Sequence, residues 1–273
     1  MKTRRFGSLA VEIPIVGIGT WQMERDDPAS AVAAIKRAIE HGMTHVDTAE
    51  MYGDGRVETL VADGIAGARA RVFLASKVLP KNATYEGTLR ACEASLRRLG
   101  TDHLDLYMLH WPGPHPLADT FRAFETLVEQ GKIRAWGVSN FDDHELADAI
   151  AIAGPNKIAC NQVLYHLGQR DIEHLVIPQC EKHGIAAVGY SPFGSRGRFR
   201  PGPIEELAKQ LRATPRQIAL AYLSRKAFVI PKSSSPAHVD ELAGADGVTL
   251  DAAAIMAIEA AFPLAPWKGL PTI

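Results

Sequence analysis

The feature that most constrains this chain is a repeated alternation. Short β-branched or apolar runs alternate with longer segments of helical period across nearly all of the 273 residues. The first run is Ile15-Val16-Gly17-Ile18-Gly19-Thr20. Asp27-Pro28 then sets an N-cap before a proline at the first helical position. Val32, Ile35 and Ile39 mark one face of that helix, and Gly42 ends it. A short strand over 44–47 precedes a helix over 57–66, and the third strand is 72–77. Thr84 caps a helix whose buried face is Leu89, Cys92, Leu96 and Leu99, closed by Gly100. The fourth strand is 104–110, followed by a helix carried by Phe121, Phe124 and Val128 and closed by Gly131. The fifth is 133–139, with a helix through Leu146 and Ile150, and the sixth is 158–164. The helix expected over 173–182 contains Pro178, which predicts a kink or a late start. The seventh strand is 185–190. An insertion rich in Gly, Pro and Arg occupies 195–203, and two helical segments follow, the second opened by a capping box from Thr214 to Gln217. The eighth strand is 228–230. Ser235-Pro236 caps one further helix, and 251–262 forms the last.

Parallel strands need crossover helices, and eight such units can close into a (β/α)₈ TIM barrel. An open doubly wound sheet uses the same alternation and is the structural rival. Residues 4–13, with Gly7-Ser8 at the turn, read as an N-terminal β-hairpin at the barrel floor. The absence of internal repeats, low-complexity tracts and linkers predicts one domain over 1–273. Hydrophobic residues make up 47%, enough for a sizeable core. The formal net charge of −1 gives no basic field for nucleic acid. No run of about twenty apolar residues predicts a membrane span. Glu12 and Pro14 interrupt any signal-peptide pattern. Cys92, Cys160 and Cys180 are odd in number and lack metal-like spacing, which suggests reduced thiols in the cytoplasm.

A barrel of this kind works at the C-terminal ends of its strands. There the second strand ends in Asp47, with Tyr52 in the following loop, the third in Lys77 and the fourth in His110. These four groups suit one reaction. Reducing a carbonyl by hydride requires a proton at the oxygen as negative charge builds there. Tyrosine can donate it, Lys77 favours the phenolate and is expected to lower the phenol's pKa, Asp47 can hold the ammonium, and His110 can orient the carbonyl oxygen. Each residue alone has a plainer reading: a helix cap, a surface aromatic, a solvated lysine, a buried histidine. Their convergence on neighbouring strand ends favours chemistry.

The stretch from Gly42 through Asp47-Thr48-Ala49-Glu50-Met51-Tyr52-Gly53 closely resembles the first signature of the aldo-keto reductase superfamily. The resemblance continues through Lys77, Leu109-His110-Trp111-Pro112, Trp136-Gly137-Val138-Ser139-Asn140-Phe141 and Asn161-Gln162-Val163-Leu164-Tyr165-His166. It ends in Tyr190-Ser191-Pro192-Phe193 and Ile230-Pro231-Lys232-Ser233-Ser234. It implies a (β/α)₈ barrel, a catalytic tetrad of Asp47, Tyr52, Lys77 and His110, and an extended nicotinamide cofactor, NADPH, with NADH possible. It further implies that Ser139, Asn140 and Gln162 hold the nicotinamide carboxamide, with Asp47 beside them, and that Tyr190 stacks on the ring. Ser191, Phe193 and Gly194 fall on the pyrophosphate side. Gly19, Thr20 and Trp21 form the first-strand loop. Trp21, Met51 and Trp111 line the substrate pocket with Tyr52 and His110, whereas Trp136 is expected to be core. Lys232, Ser233 and Ser234 are phosphate candidates, and Glu241 faces the adenine. Many members carry an arginine where this chain has His238, and an asparagine after the glutamate where it has Leu242. The missing arginine predicts a weakened preference for NADPH over NADH. The expected partner is a small carbonyl compound met by a monomer.

Two rivals are kept. A metal-dependent hydrolase would draw on His41, His45, His110 and His115, yet these show no His-x-His pattern, and no metal site is expected. A non-catalytic or redox-sensing nicotinamide-binding barrel would not need the three polar strand ends and Tyr52.

Overall fold

The chain opens with an antiparallel hairpin, β1 (Thr3–Arg5) and β2 (Glu12–Pro14). The first barrel strand is β3 (Ile18–Gly19), followed by α1 (Pro28–Glu40), β4 (His45–Asp47), α2 (Arg56–Ile65) and β5 (Phe73–Val78). Next come α3 (Tyr85–Leu99), β6 (Leu104–Leu109), α4 (Leu117–Glu129), β7 (Ile133–Ser139) and α5 (Asp143–Ala153). Then follow β8 (Ile158–Leu164), α6 (Val176–Lys182), β9 (Ala186–Tyr190), α7 (Glu205–Gln210) and α8 (Pro215–Leu223). The series ends with β10 (Phe228–Ile230), α9 (Pro236–Ala243) and α10 (Ala252–Ala261). This computed structural model describes residues 1–194 and 200–271.

Strands β3 to β10 pair in sequence order, all parallel. The first and last meet through bridges Val16↔Val229 and Gly19↔Lys232. Gly17 N–H donates to the Val229 carbonyl and Gly19 N–H to that of Pro231, each at 2.9 Å. The ring is therefore a barrel and not an open sheet. Only Ile18–Gly19 of the expected 15–20 strand is regular, because its neighbours hold the last strand by single bridges.

Period-two alternation divides each strand between two cores. Inward residues Phe73, Ala75, Leu106, Met108, Ala135, Cys160, Val188, Phe228 and Ile230 form one cluster with Phe6 and Ile13 of the hairpin. Outward residues such as Leu74, Val78, Tyr107, Leu109 and Val138 pack with the helices. The hairpin plugs the floor. Phe6 lies 5.0 Å from Phe228 and 5.1 Å from Phe73, ring centroid to centroid. Gly7 makes this entry possible: φ is +57°, and a Cβ there would stand 2.7 Å from the Gly184 carbonyl oxygen.

Helix starts follow their caps. Asp27, Thr84, Asp142, Thr214, Ser235 and Asp251 each accept a backbone N–H of the first turn. Two expectations need correction. In α4 the buried row is Phe121, Phe124 and Leu127, while Val128 is 36% exposed, since the turn from Phe124 closes on i+3. Val32 and Leu89 lie at the edges of their buried faces and are only partly covered. The late start expected from Pro178 is observed: α6 begins at Val176, which puts Pro178 in its first turn, where a missing N–H costs little. Positions 195–199 of the expected insertion lie outside the described residues, and Gly202–Ile204 forms a 3₁₀ turn. Among the described residues no helix is long and apolar enough to cross a membrane.

Candidate active site

The inward rows of the strands change character toward the mouth. On β5 the row runs Phe73, Ala75, Lys77; on β6 it runs Leu106, Met108 and then His110; on β4 it runs His45, Asp47. Asp47 and His110 at the tops of two of these rows, with Tyr52 from the turn after β4, line a cavity of about 730 Å³, and Lys77 is buried outside its lining. Gly19, Thr20, Trp21, Ser139, Asn140 and Gln162 also line it, as do Tyr190, Ser191 and Lys232. Met51 and Trp111 border it. Trp21 and Trp111 are each 36% exposed, so two large aromatic faces stand open to it. Trp136 belongs elsewhere: it is buried against Phe121 at 4.7 Å and donates to Glu125.

Lys77 is fully buried, and its ammonium makes three contacts. Asp47 Oδ1 is 2.6 Å away, the Thr48 carbonyl 2.8 Å and the Tyr52 hydroxyl 3.3 Å. An ammonium has three donors and no acceptor. The Tyr52 oxygen therefore accepts, and its own proton must point elsewhere. The other carboxylate oxygen of Asp47 accepts from Gln162 Nε2 at 2.8 Å. Burial disfavours charge on Lys77, but the attraction of Asp47 and Tyr52 outweighs it, so its pKa is raised. Lys77 does act to lower the phenol's pKa, through its charge and its hydrogen bond. Burial acts on Tyr52 more strongly than the nearby ammonium opposes it, and its pKa is raised. His110 is held well below the usual imidazole range by burial first and Lys77 second, and is neutral. Its Nδ1 meets no hydrogen-bond partner among the described residues, and its ring sits edge-on to Tyr52 at 5.8 Å.

A second network lies beside the first. Ser139 donates to the Gln162 carbonyl, and Asn140 Nδ2 donates to the His110 carbonyl at 3.0 Å. Tyr190 donates its hydroxyl to Asn140 Oδ1 at 2.7 Å. Asn140 and Ser191 hold φ of +60° and +49°, strain at two loop positions directly above strands.

Lys232 excepted, the remaining expected cofactor residues lie outside the cavity lining: Phe193, Gly194, Ser233, Ser234, His238 and Glu241. Lys232 is ion-paired with Asp26, whose carboxylate also accepts from Ser234 at 2.7 Å. His238 is exposed at the first turn of α9. Sequence reasoning missed several residues. Asp26 and Leu270 carry no local signal. Asp142 and Glu145 spell a capping box that also places two carboxylates at the cavity rim.

The histidines of the hydrolase reading are scattered. His41 binds Asp240 at the end of α1, His45 is at the floor, His110 is at the mouth and His115 is in a loop. Among the described residues no group of three or more His, Cys, Asp or Glu could hold a metal ion. The three cysteines are buried and unpaired, with burial pushing Cys92 and Cys180 up to about 12.

The mouth of this parallel barrel holds the buried cluster of Asp47, Lys77 and Tyr52 beside an amide-rich shelf. The chain belongs to the Aldo/keto reductase family, whose sequence pattern it matches over residues 15–262. It is 42% identical to the methylglyoxal reductase YeaE of Escherichia coli, over 93% of this chain and 92% of that one. It is 35% identical to a glyoxal reductase of Bacillus subtilis, over 82% and 79% respectively. An aldo/keto reductase of Klebsiella pneumoniae, crystallised with NADP and acetate, superposes with a TM-score of 0.93 at 40% identity, covering 100% of this chain and 99% of that chain.

Proposed function

We propose that this chain reduces small aldehydes or ketones to alcohols with NADPH, Tyr52 delivering the proton to the carbonyl oxygen. The carrying observation is the Lys77 ammonium, whose donors reach Asp47, Thr48 and the Tyr52 oxygen. That arrangement orients the phenol as a donor toward the cavity. The raised pKa of Tyr52 keeps the acid protonated across neutral pH. As the proton leaves, the phenolate forms beside a fixed positive charge that is already paid for by folding. Neutral His110 offers an N–H to the carbonyl oxygen and does not compete as an acid.

The residues fit a nicotinamide dinucleotide. Ser139, Asn140 and Gln162 supply the donors and acceptors a primary carboxamide needs, and the ring of Tyr190 offers a stacking face. When bound, NADPH supplies the hydride. In this reading Ser191, Phe193 and Gly194 would hold the pyrophosphate, and Lys232, Ser233, Ser234 and the start of α9 the adenosine end. Glu241 and His238 face that end. The substrate sits between Trp21, Met51 and Trp111. Asp142 and Glu145 at the rim disfavour carboxylate-bearing substrates, and the relatives that reduce methylglyoxal and glyoxal suggest small dicarbonyls.

The test is NADPH oxidation across a panel of aldehydes, ketones and keto acids with methylglyoxal included. Reduction of uncharged aldehydes by the wild type, lost in Tyr52→Phe, is the expected result. Full activity in Tyr52→Phe would remove the tyrosine from the mechanism. Because the tyrosine pKa is raised, the acid limb of the reaction should stay flat through neutrality. The rate should fall only above the ordinary tyrosine value of about 10. A fall near pH 7 would assign the proton to another group.

A further inference from the structure

The far end of the cleft poses a question of charge. Lys232, the cation nearest β10, already faces Asp26, and Ser234 shares the same carboxylate oxygen. His238 presents an imidazole and not the planar two-pronged fork of an arginine. One arginine, however, is placed on this region from a different helix.

Arg216 is the second residue of α8. A cation there opposes the helix dipole, so helix stability does not account for it. Pro215 at the first position and the Thr214–Gln217 capping box fix this turn. Gln217 Nε2 also donates to the Glu241 carbonyl at 2.8 Å, which ties the start of α8 to α9. The Arg216 guanidinium stands between two elements: it is 3.6 Å from Glu241 Oε2 and 5.9 Å above the Phe193 ring centroid. The Glu241 contact is long and single, and the Arg216 side chain is 49% exposed. Such a pair holds the arginine loosely and leaves most of its five donors open. Glu241 is one turn beyond His238 on the same face of α9.

We infer that Arg216 is the cation that reads the 2′-phosphate of the cofactor, acting from α8 in place of the arginine missing at His238. The inference rests on the cofactor reading above. A guanidinium is always charged, matches a phosphate with two parallel N–H groups, and can lie flat on a purine. Glu241 and Phe193 hold it at the gap between the loop after β9 and helix α9, which that reading gives to the adenosine. Selectivity for NADPH over NADH therefore resides in α8.

The experiment measures dissociation constants of NADPH, NADH, 2′,5′-ADP and 5′-AMP by calorimetry and by tryptophan quenching. It compares wild type, Arg216→Ala and Arg216→Lys, with thermal unfolding as the control for folding. Arg216→Ala should weaken NADPH and 2′,5′-ADP by roughly tenfold, the scale of a hydrogen bond to a charged group. NADH and 5′-AMP should change less than about twofold, and Arg216→Lys should fall between, keeping charge without the fork. Equal losses for phosphorylated and unphosphorylated ligands, or no loss for either, would overturn the inference alone. A wild type that binds neither dinucleotide would overturn the cofactor reading and the inference with it.

Discussion

His45 and Asp47 stand two residues apart on β4, in the same barrel interior, yet their surroundings differ completely. Asp47 at the mouth accepts from Lys77 and Gln162. His45 at the floor is fully buried among Phe6 and Phe73, with no hydrogen-bond partner on either ring nitrogen among the described residues. The mouth keeps charge buried by pairing it, whereas the floor excludes charge. Burial accordingly pushes the His45 pKa down to about 4, while Lys77 stays ionised nearer the mouth of the same ring of strands. The barrel thus separates a place for chemistry from a place for stability along the length of single strands.

The largest expected effect tests the mouth. Tyr52→Phe should lower kcat by roughly 10²–10⁴-fold, the usual range for a general acid, with little change in NADPH affinity or unfolding midpoint. Steady-state kinetics beside a melting curve measure both. A variant that unfolds readily while its turnover persists would make Tyr52 a packing residue.

The next tests the floor. Phe6 is fully buried against Phe73 and Phe228, so Phe6→Ala should cost about 3–5 kcal/mol in urea unfolding, and the folded fraction should keep its kcat. Loss of turnover at unchanged stability would show that the plug reaches the chemistry and would break the division between the two ends.

The third concerns acid. His45 is neutral in the fold, and its folded pKa of about 4 lies below the ordinary value of 6.5. Its contribution is fully present above about pH 6.5, where neither state holds the proton. It declines as pH falls, because the unfolded chain takes up the proton first, and it is lost once pH passes below the folded value near 4. The total is on the order of 3 kcal/mol. His45→Leu should flatten the stability profile over this window when urea unfolding is followed as a function of pH. An unaltered slope would place the acid sensitivity in other groups.

The smallest effect lies at the outer edge of the mouth. Lys232→Ala should weaken NADPH more than NADH by only a few-fold, because Lys232 is partly exposed and already paired with Asp26. A loss of a hundredfold would make Lys232 the dominant phosphate ligand and shift selectivity from α8 to β10.

Much of this was readable in the sequence because alternation fixes direction. Once Phe73 and Ala75 are inward, Lys77 must be, and the same arithmetic carries His110 and Asp47 to the mouth. Caps were equally legible, since Asp27-Pro28 and Thr214 to Gln217 are local devices. Partners brought together by closure of the ring were not. Nothing near Asp26 announces Lys232, and Leu270 reaches the cavity from a tail without periodicity. Arg216 was hidden for another reason: within its helix it reads as a solvated residue, and only the tie between α8 and α9 sets it beside Glu241. The direction of the Tyr52 shift was also beyond reach, because the sequence names the ammonium but not the depth of burial that outweighs it.

The seam between β3 and β10 has a consequence in time. Asp47 and Lys77 lie on adjacent strands joined by one helix, so their pairing needs only a short stretch of chain. The bridge from Gly19 to Lys232 joins opposite ends of the sequence, and its loop-closure cost is met only when nearly everything else is in place. During synthesis the Asp47–Lys77 ion pair can assemble while β10 is still being made. Closure of the ring across β3 and β10 comes last. In the mature protein the same order runs in reverse: the amides of Gly17, Gly19 and Val229 should be among the first of the barrel strands to exchange with solvent deuterium.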